Sequence, residues 1–327
     1  MAKKKSRSLY LYGIRTHRRV AEEYIKNPDD YLRTFTVQIN GKKRHIITYK
    51  PDNKGAALRH YHELFANMMG CCYESMPNSY AYKKGTGILP CIQQHSESNS
   101  FLKTDIHEFF NSIQYETLSE EVLKDSICRR NKKLIKTALQ ACFYEGHLPI
   151  GFVTSPVLSD LYLHRLDELF LANNGTVYTR YADDFIISGK DNMDQLIQVK
   201  TNLERSLEEY GLSLNTKKTY FRTLRQPGDA IHVLGVNIVN NYPEPNRITV
   251  SDRYIREVCK EICQFFDEKN GMTQNQAHEA LLSLNGKIEF IRYISTSSYS
   301  KLEKMVKIKN GSNTTLETIK LHFDETV

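Results

Sequence analysis

Four consecutive residues, Tyr181-Ala182-Asp183-Asp184, constrain the fold of this chain more than any other stretch. Before them, Val177-Tyr178-Thr179-Arg180-Tyr181 is rich in β-branched and aromatic residues, and Phe185-Ile186-Ile187-Ser188 continues in the same style. Two strands therefore flank a tight turn. Turn formers bracket the hairpin at Asn173-Asn174-Gly175 and at Gly189-Lys190-Asp191-Asn192. Neighbouring side chains on a regular strand point to opposite faces, so a turn is the place where adjacent carboxylates can face one ion. Their mutual repulsion must be offset, and a divalent cation does this.

An Asp-Asp pair alone describes an ordinary solvated turn. A second acidic strand end changes the reading. Phe101-Leu102-Lys103-Thr104-Asp105-Ile106 is an apolar strand ending on a carboxylate, and it runs into Glu108-Phe109-Phe110-Asn111-Ser112-Ile113. Hard oxygen donors on two strand ends suit Mg²⁺ better than zinc or a redox metal. Two such ions clamp the attacking and leaving oxygens of a phosphoryl transfer.

With those residues in view, the chain resembles a bacterial reverse transcriptase of the retron and defence-associated (abortive-infection-like) group, from about Lys43 to about Lys309. Asp105-Ile106-His107-Glu108-Phe109-Phe110 resembles polymerase motif A, and Leu148-Pro149-Ile150-Gly151-Phe152-Val153-Thr154-Ser155-Pro156 resembles motif B. Tyr181-Ala182-Asp183-Asp184 is similar to motif C, and Gly211 to Thr219 to motif D. Val233-Leu234-Gly235-Val236 resembles the motif E primer grip. Each motif is weak by itself; five in order are specific.

The resemblance implies roles. Asp105 and Asp183 would bind two Mg²⁺ ions (Mn²⁺ as a substitute), with the Ile106 carbonyl as a further ligand and Asp184 assisting. Lys218, or its neighbour Lys217, would protonate the departing pyrophosphate. Phe110 stands at the steric gate that favours deoxynucleotides, with one of Phe109 and Phe110 packing inward. Ile150 and Gly151 would line the nucleotide site, with Arg44, Lys83 and Lys84 reaching phosphates and Leu234-Gly235 holding the primer. The implied partners are an RNA template or associated non-coding RNA, dNTPs and the DNA product. A partner protein or second copy stays open, and the implied setting is antiviral defence in a bacterial cytoplasm.

Two departures matter. Ile150 replaces a glutamine frequent in the family, and an apolar side chain cannot hydrogen-bond nucleotide or template. Where retrons carry N-A-x-x-H and V-T-G, this chain reads Cys91-Ile92-Gln93-Gln94-His95 and Val233-Leu234-Gly235. Both departures point towards the defence-associated branch, with a dedicated product. Template-independent or protein-primed synthesis is therefore an alternative, as is a non-catalytic RNA-binding scaffold. An RNA-dependent RNA polymerase is disfavoured by Phe110.

The implied fold is an α+β right hand. Residues 1–98 form an N-terminal segment and fingers, 99–240 an antiparallel-sheet palm, 241–310 a helical thumb and 311–327 a tail. Locally, Asn40-Gly41 marks a hairpin between Thr36 and Tyr49, and 56–69 reads as a helix. Residues 117–145, 155–171 and 193–210 also read as helices, the second starting at Pro156 behind a Thr154-Ser155 cap. Apolar stripes Ile255-Val258-Ile262-Phe265 and Ala280-Leu281-Leu284-Ile288-Ile291-Ile294 describe thumb helices.

Composition agrees. A length of 327 residues leaves little beyond such a hand, so any nuclease would be a separate protein. Net charge is +7, with basic clusters at Lys3-Lys4-Lys5, Lys42-Lys43-Arg44, Lys83-Lys84 and 301–309, as a polyphosphate partner requires. The seven cysteines include no C-x-x-C pair, and no apolar run is long enough to span a membrane. Reduced thiols packed as small hydrophobes, in a cytoplasmic protein without a zinc site, are expected.

Overall fold

Helices α1 (Ala2–Thr16) and α2 (Arg18–Lys26) open the chain. Strands β1 (Leu32–Ile39) and β2 (Lys42–Tyr49) then pair antiparallel, from Leu32↔Tyr49 to Ile39↔Lys42. The computed structural model describes residues 2–39, 42–171, 175–268 and 271–310. The Asn40-Gly41 turn, the Asn173-Asn174 turn residues and the expected tail thus lie outside the described residues, although the strands on both sides of Asn40-Gly41 are in the register it calls for. Helix α3 (Asn53–Cys72) starts where the Asp52 carboxylate accepts the Gly55 N–H at 2.8 Å. The chain divides into two units: residues 1–91 with 101–221, and residues 92–100 with the part from Arg222 onward.

The first unit continues through α4 (Ile88–Gln93), β3 (Ser100–Asp105), α5 (Phe109–Ser112), α6 (Tyr115–Val122), α7 (Ser126–Arg130) and α8 (Lys132–Gln140). After these come α9 (Ser155–Tyr162), α10 (His164–Leu171), β4 (Val177–Tyr181), β5 (Asp184–Gly189), α11 (Met193–Glu208) and β6 (Tyr220–Thr223). Sheet order β4-β5-β3-β6 sets β3 beside the β5 arm of the acidic hairpin. One apolar cluster fills this unit, from Ile14, Tyr24 and Phe65 through Leu102, Phe109 and Tyr162 to Phe185 and Leu207.

Two expected helices are broken. Residues 117–145 form α6, α7 and α8 instead of one helix, because the Asp125 carboxylate accepts Ile127 and Cys128 N–H at 2.8 and 3.1 Å and starts a new one. Asn131 then donates its amide to Ile127 O at 2.9 Å and separates α7 from α8. Residues 155–171 split at Leu163 into α9 and α10. Pro156 does sit in the first turn of α9, but Thr154 makes no capping bond; the Ser155 hydroxyl donates backwards to Pro149 O at 2.7 Å.

In the second unit, β7 (Ala230–Val233), β8 (Val236–Val239) and β9 (Arg247–Val250) form an antiparallel meander. Leu234 and Gly235 make its first turn with φ of +48° and +84°, the two-residue geometry that matches strand twist. Helices α12 (Asp252–Glu268), α13 (Gln274–Ile294) and α14 (Thr296–Asn310) follow. Both expected apolar stripes are buried except Ala280, which is half-buried. Thr273 and Gln276 complete a capping box at the start of α13. Mixed helices and antiparallel sheets give the expected α+β class. No described helix is long and apolar enough to cross a membrane.

Candidate active site

The carboxylates meet where β3 ends beside the β4–β5 hairpin. Tyr181 pairs with Asp184, and Ala182 closes the turn at φ +58°, a conformation that L residues rarely adopt. The Ile106 N–H donates to Asp183 O at 3.1 Å and joins motif A to the turn. Asn215 N–H donates to Asp105 O at 2.8 Å and His107 N–H to Ser213 O at 2.9 Å, which lays the 213–218 segment along the same strand end. That path brings the Lys218 ammonium into an ion pair with Asp105 Oδ2.

Asp105 is 2% exposed, and its Oδ1 is buried without a hydrogen-bond partner. Burial raises the Asp183 pKa, with the Asp105 charge adding to it, while Lys218 and Arg44 act the other way. Asp184 is pushed up to about 6, by burial first and by Asp183 second. Lys218 is raised, chiefly by its bond to Asp105, and so keeps its proton. An orphaned carboxylate oxygen beside two desolvated carboxylates fits a divalent hard cation: the donors are all oxygen, and unpaired buried charge is costly.

Around this centre the structure brings several of the expected residues together. Phe109 is buried and Phe110 half-buried, their rings tilted at 50° with centroids 5.5 Å apart, so one ring packs inward and the other stays accessible. Ile150 is 38% exposed and its carbonyl accepts the Ile47 N–H at 3.1 Å. Gly151 has φ +124°, and a Cβ there would lie 2.4 Å from Ile47 O, so only glycine lets the 148–153 segment dock on β2. Arg44 lies exposed on β2, in reach of Asp183's field.

Lys83 and Lys84 differ. The Lys83 ammonium donates to Met76 O at 2.5 Å and is half-buried, whereas Lys84 is exposed. Both line a cavity of about 860 Å³ with Tyr82, Pro156, Asp160 and His164; the three carboxylates are not part of its wall. Leu234 and Gly235 occupy the β7–β8 turn of the second unit.

A buried charge network escaped the sequence reading. Arg180, 1% exposed, grips Asp167 through Nε and Nη2, reaches Asp160 at 2.7 Å, and donates to Ala182 O at 3.0 Å. Its partners lie 13 and 20 residues away on α10 and α9, a spacing without any motif. Away from the carboxylates, Cys72, Asp125 and Cys128 converge within 4.8 Å. Asp125 is already committed there, to the α7 cap and to Arg7 at 3.6 Å.

Known proteins resemble this chain over most of its length. The chain is 26% identical to retron Ec86 reverse transcriptase of Escherichia coli over 88% of its length and 85% of the relative's. It is 24% identical to retron Ec73 reverse transcriptase over 87% and 89%, and 29% identical to retron Ec83 reverse transcriptase over 75% and 76%, both from the same organism. These relatives are retron enzymes even though both retron motifs are altered here. An apo telomerase from Candida tropicalis overlaps at TM-score 0.48 with 15% identity, over 64% of this chain and 53% of that one, too loosely to bear on function. The reverse transcriptase (RNA-dependent DNA polymerase) family profile matches residues 55–238, more than half of the chain. The protein belongs to the reverse transcriptase family and is an RNA-directed DNA polymerase.

Proposed function

We propose that this enzyme copies an associated non-coding RNA into DNA, with Asp105, Asp183 and Asp184 holding two Mg²⁺ ions, for which Mn²⁺ substitutes. The observation that carries the reading is the buried Asp105 Oδ1 without a partner, in a carboxylate whose charge acts on the desolvated Asp183 and Asp184. When bound, the ions supply charge neutralisation at the attacking and leaving oxygens. Asp105 and Asp183 present the ligand oxygens, with the Ile106 carbonyl beside them, and Asp184 adds charge from the first position of β5.

The remaining residues bind and orient. Phe110 offers its half-buried ring to the sugar, and a 2′-hydroxyl collides with it, selecting dNTPs. Gly151 and Ile150 keep the 148–153 segment on the β1–β2 hairpin, where Arg44 points its charge at the triphosphate. Lys218, held protonated beside Asp105, delivers a proton to the pyrophosphate oxygen. Lys84 contacts nucleic-acid phosphates and Lys83 supports that segment through Met76. Leu234-Gly235, at a hairpin tip, grips the primer. The first unit supplies fingers and palm, and the α12–α14 bundle supplies the thumb.

Primer extension on an RNA template tests this directly. Wild type extends with dNTPs and Mg²⁺, while Asp105→Asn and Asp183→Asn fall by at least about a thousandfold. Full activity in Asp183→Asn would sink the assignment. A second reading, template-independent or protein-primed synthesis, is favoured by Ile150, whose apolar side chain has no hydrogen bond to offer a template base. DNA made without added RNA, or a nucleotide covalently linked to the protein in a mass spectrum, would select it. The place in anti-phage defence rests on the resemblance alone. Plating efficiency of phages on cells carrying wild type or Asp183→Asn tests it, and equal plating would remove it.

A further inference from the structure

Arg180 is the largest fully buried side chain among the described residues. Its guanidinium donates from Nε to both Asp167 oxygens at 2.9 and 3.1 Å and from Nη2 to Asp167 Oδ2 at 2.5 Å and Asp160 Oδ1 at 2.7 Å. Burial works against its charge, but Asp167 and then Asp160 outweigh that and raise its pKa. The two acids have partners of their own: Asp167 accepts the Tyr178 hydroxyl at 2.9 Å, and Asp160 the Ser79 hydroxyl at 2.6 Å. The Arg180 main chain is also fixed, with its N–H on Asn78 O and its C=O taking the Tyr80 N–H.

A network of this kind is poorly explained by stability. Apolar residues of similar volume pack a core as well as a buried ion pair does, and often better. An apolar replacement of the three charged groups would leave the Tyr178 and Ser79 hydroxyls and the Ala182 carbonyl without these partners, and of the three it is Ala182 O, bonded from Nη1 at 3.0 Å, that belongs to the acidic turn. Ala182 is the residue before Asp183 and sits in the left-handed region at φ +58°, which non-glycine residues rarely adopt. Its carbonyl belongs to the peptide group that leads into Asp183, so a donor fixed on that oxygen fixes the plane from which Asp183 departs.

We infer that Arg180 is a positioning residue for the polymerase: held by Asp160 and Asp167, it sets the Ala182–Asp183 peptide and thereby aims the acidic turn at its metal ions. The inference rests on the proposed role of Asp183 as a ligand. It makes α9 and α10 the rigid support of the turn, and gives two acidic residues remote from the chemistry a measurable effect on metal binding.

The test is Mn²⁺ binding to the full chain, followed by electron paramagnetic resonance, together with the metal dependence of primer extension. Arg180→Lys keeps the charge, but one nitrogen cannot serve Asp167, Asp160 and Ala182 together. The double variant R180M/D167N removes cation and anion together, and its Asn still accepts the Tyr178 hydroxyl. Each is expected to melt as a cooperative unit, to bind Mn²⁺ about tenfold more weakly and to need correspondingly more metal for half-maximal extension, at unchanged dNTP KM. A folded variant with wild-type Mn²⁺ affinity overturns the inference. If the double variant does not fold, Arg180→Lys decides by the same readings, and loss of folding in both overturns it in favour of a purely structural network. Asp183→Asn measured alongside separates the two levels. Wild-type Mn²⁺ binding there removes the ligand assignment itself, whereas lost binding there with unaffected Arg180 variants removes only the positioning role.

Discussion

The Asp184 carboxylate, in the proposed metal site, is held at a cost to folding. Its carboxyl titrates near 6 in the fold against 3.8 for an ordinary aspartate, first through burial and then through Asp183. A raised folded-state pKa on an acid is a cost present above pH 6 and relieved as pH falls through 6 towards 4, because the folded state then takes up the proton first. In EDTA, Asp184→Asn is therefore expected to stabilise the protein at pH 8 by roughly 1–2 kcal/mol after solvent screening, with the gain gone near pH 4. Denaturant titrations at the two pH values check this; an equal gain at both would contradict it. Phe110→Ala is expected to admit ribonucleotides, raising rNTP incorporation relative to dNTP by at least about tenfold, as measured by competition in primer extension. The carboxylates and Phe110 could be picked as candidates from the sequence because each lies in a local motif. Arg180 could not, because its meaning lies in Asp160 and Asp167, which only the folded chain brings to it.

At the scale of elements, a hydrogen-bonded chain ties the β1–β2 hairpin and α3 to the segment after α8. Val153 N–H donates to the Tyr49 hydroxyl at 3.1 Å, Tyr49 and His62 Nδ1 are 2.9 Å apart, and His62 Nε2 reaches Ala141 O at 2.9 Å. Donation to the carbonyl requires Nε2–H, and burial, which disfavours the charged ring, keeps His62 neutral with Nδ1 accepting from the Tyr49 hydroxyl. Burial takes its pKa down to about 3 from 6.5. A depressed histidine contributes stability that is present above pH 6.5 and lost as pH falls towards 3. His62→Gln should therefore flatten the acid side of the stability profile, seen as a smaller drop in Tm between pH 7 and pH 5; an unchanged drop would count against it. Gly151→Ala forces a Cβ to 2.4 Å from Ile47 O at φ +124° and is expected to destabilise by about 2–4 kcal/mol and to raise dNTP KM. Strands and amphipathic helices were readable from period and turn residues. The breaks at Asp125, Asn131 and Leu163 were not, since each is decided by side-chain bonds or packing that interrupt an otherwise helical pattern.

Over the whole molecule, the sequence order of five motifs and the +7 charge fit an enzyme that works along a polyphosphate. Extension activity at limiting RNA is expected to fall steeply with rising salt, and a salt-independent rate would contradict a phosphate-based grip. The division into two units has no composition signal, because residues 92–100 join the later unit through Asn99 and Ser96, which accept N–H groups of Leu224 and Asn246. Such long-range pairing is invisible to any window read along the chain. RNA-templated DNA synthesis at the proposed Asp105, Asp183 and Asp184 site is tested by sequencing the nucleic acids that copurify with wild type and with Asp183→Asn. RNA is expected with both proteins, and DNA complementary to that RNA with the wild type alone. The same DNA recovered with Asp183→Asn, or wild-type DNA with no complementary RNA, would contradict it.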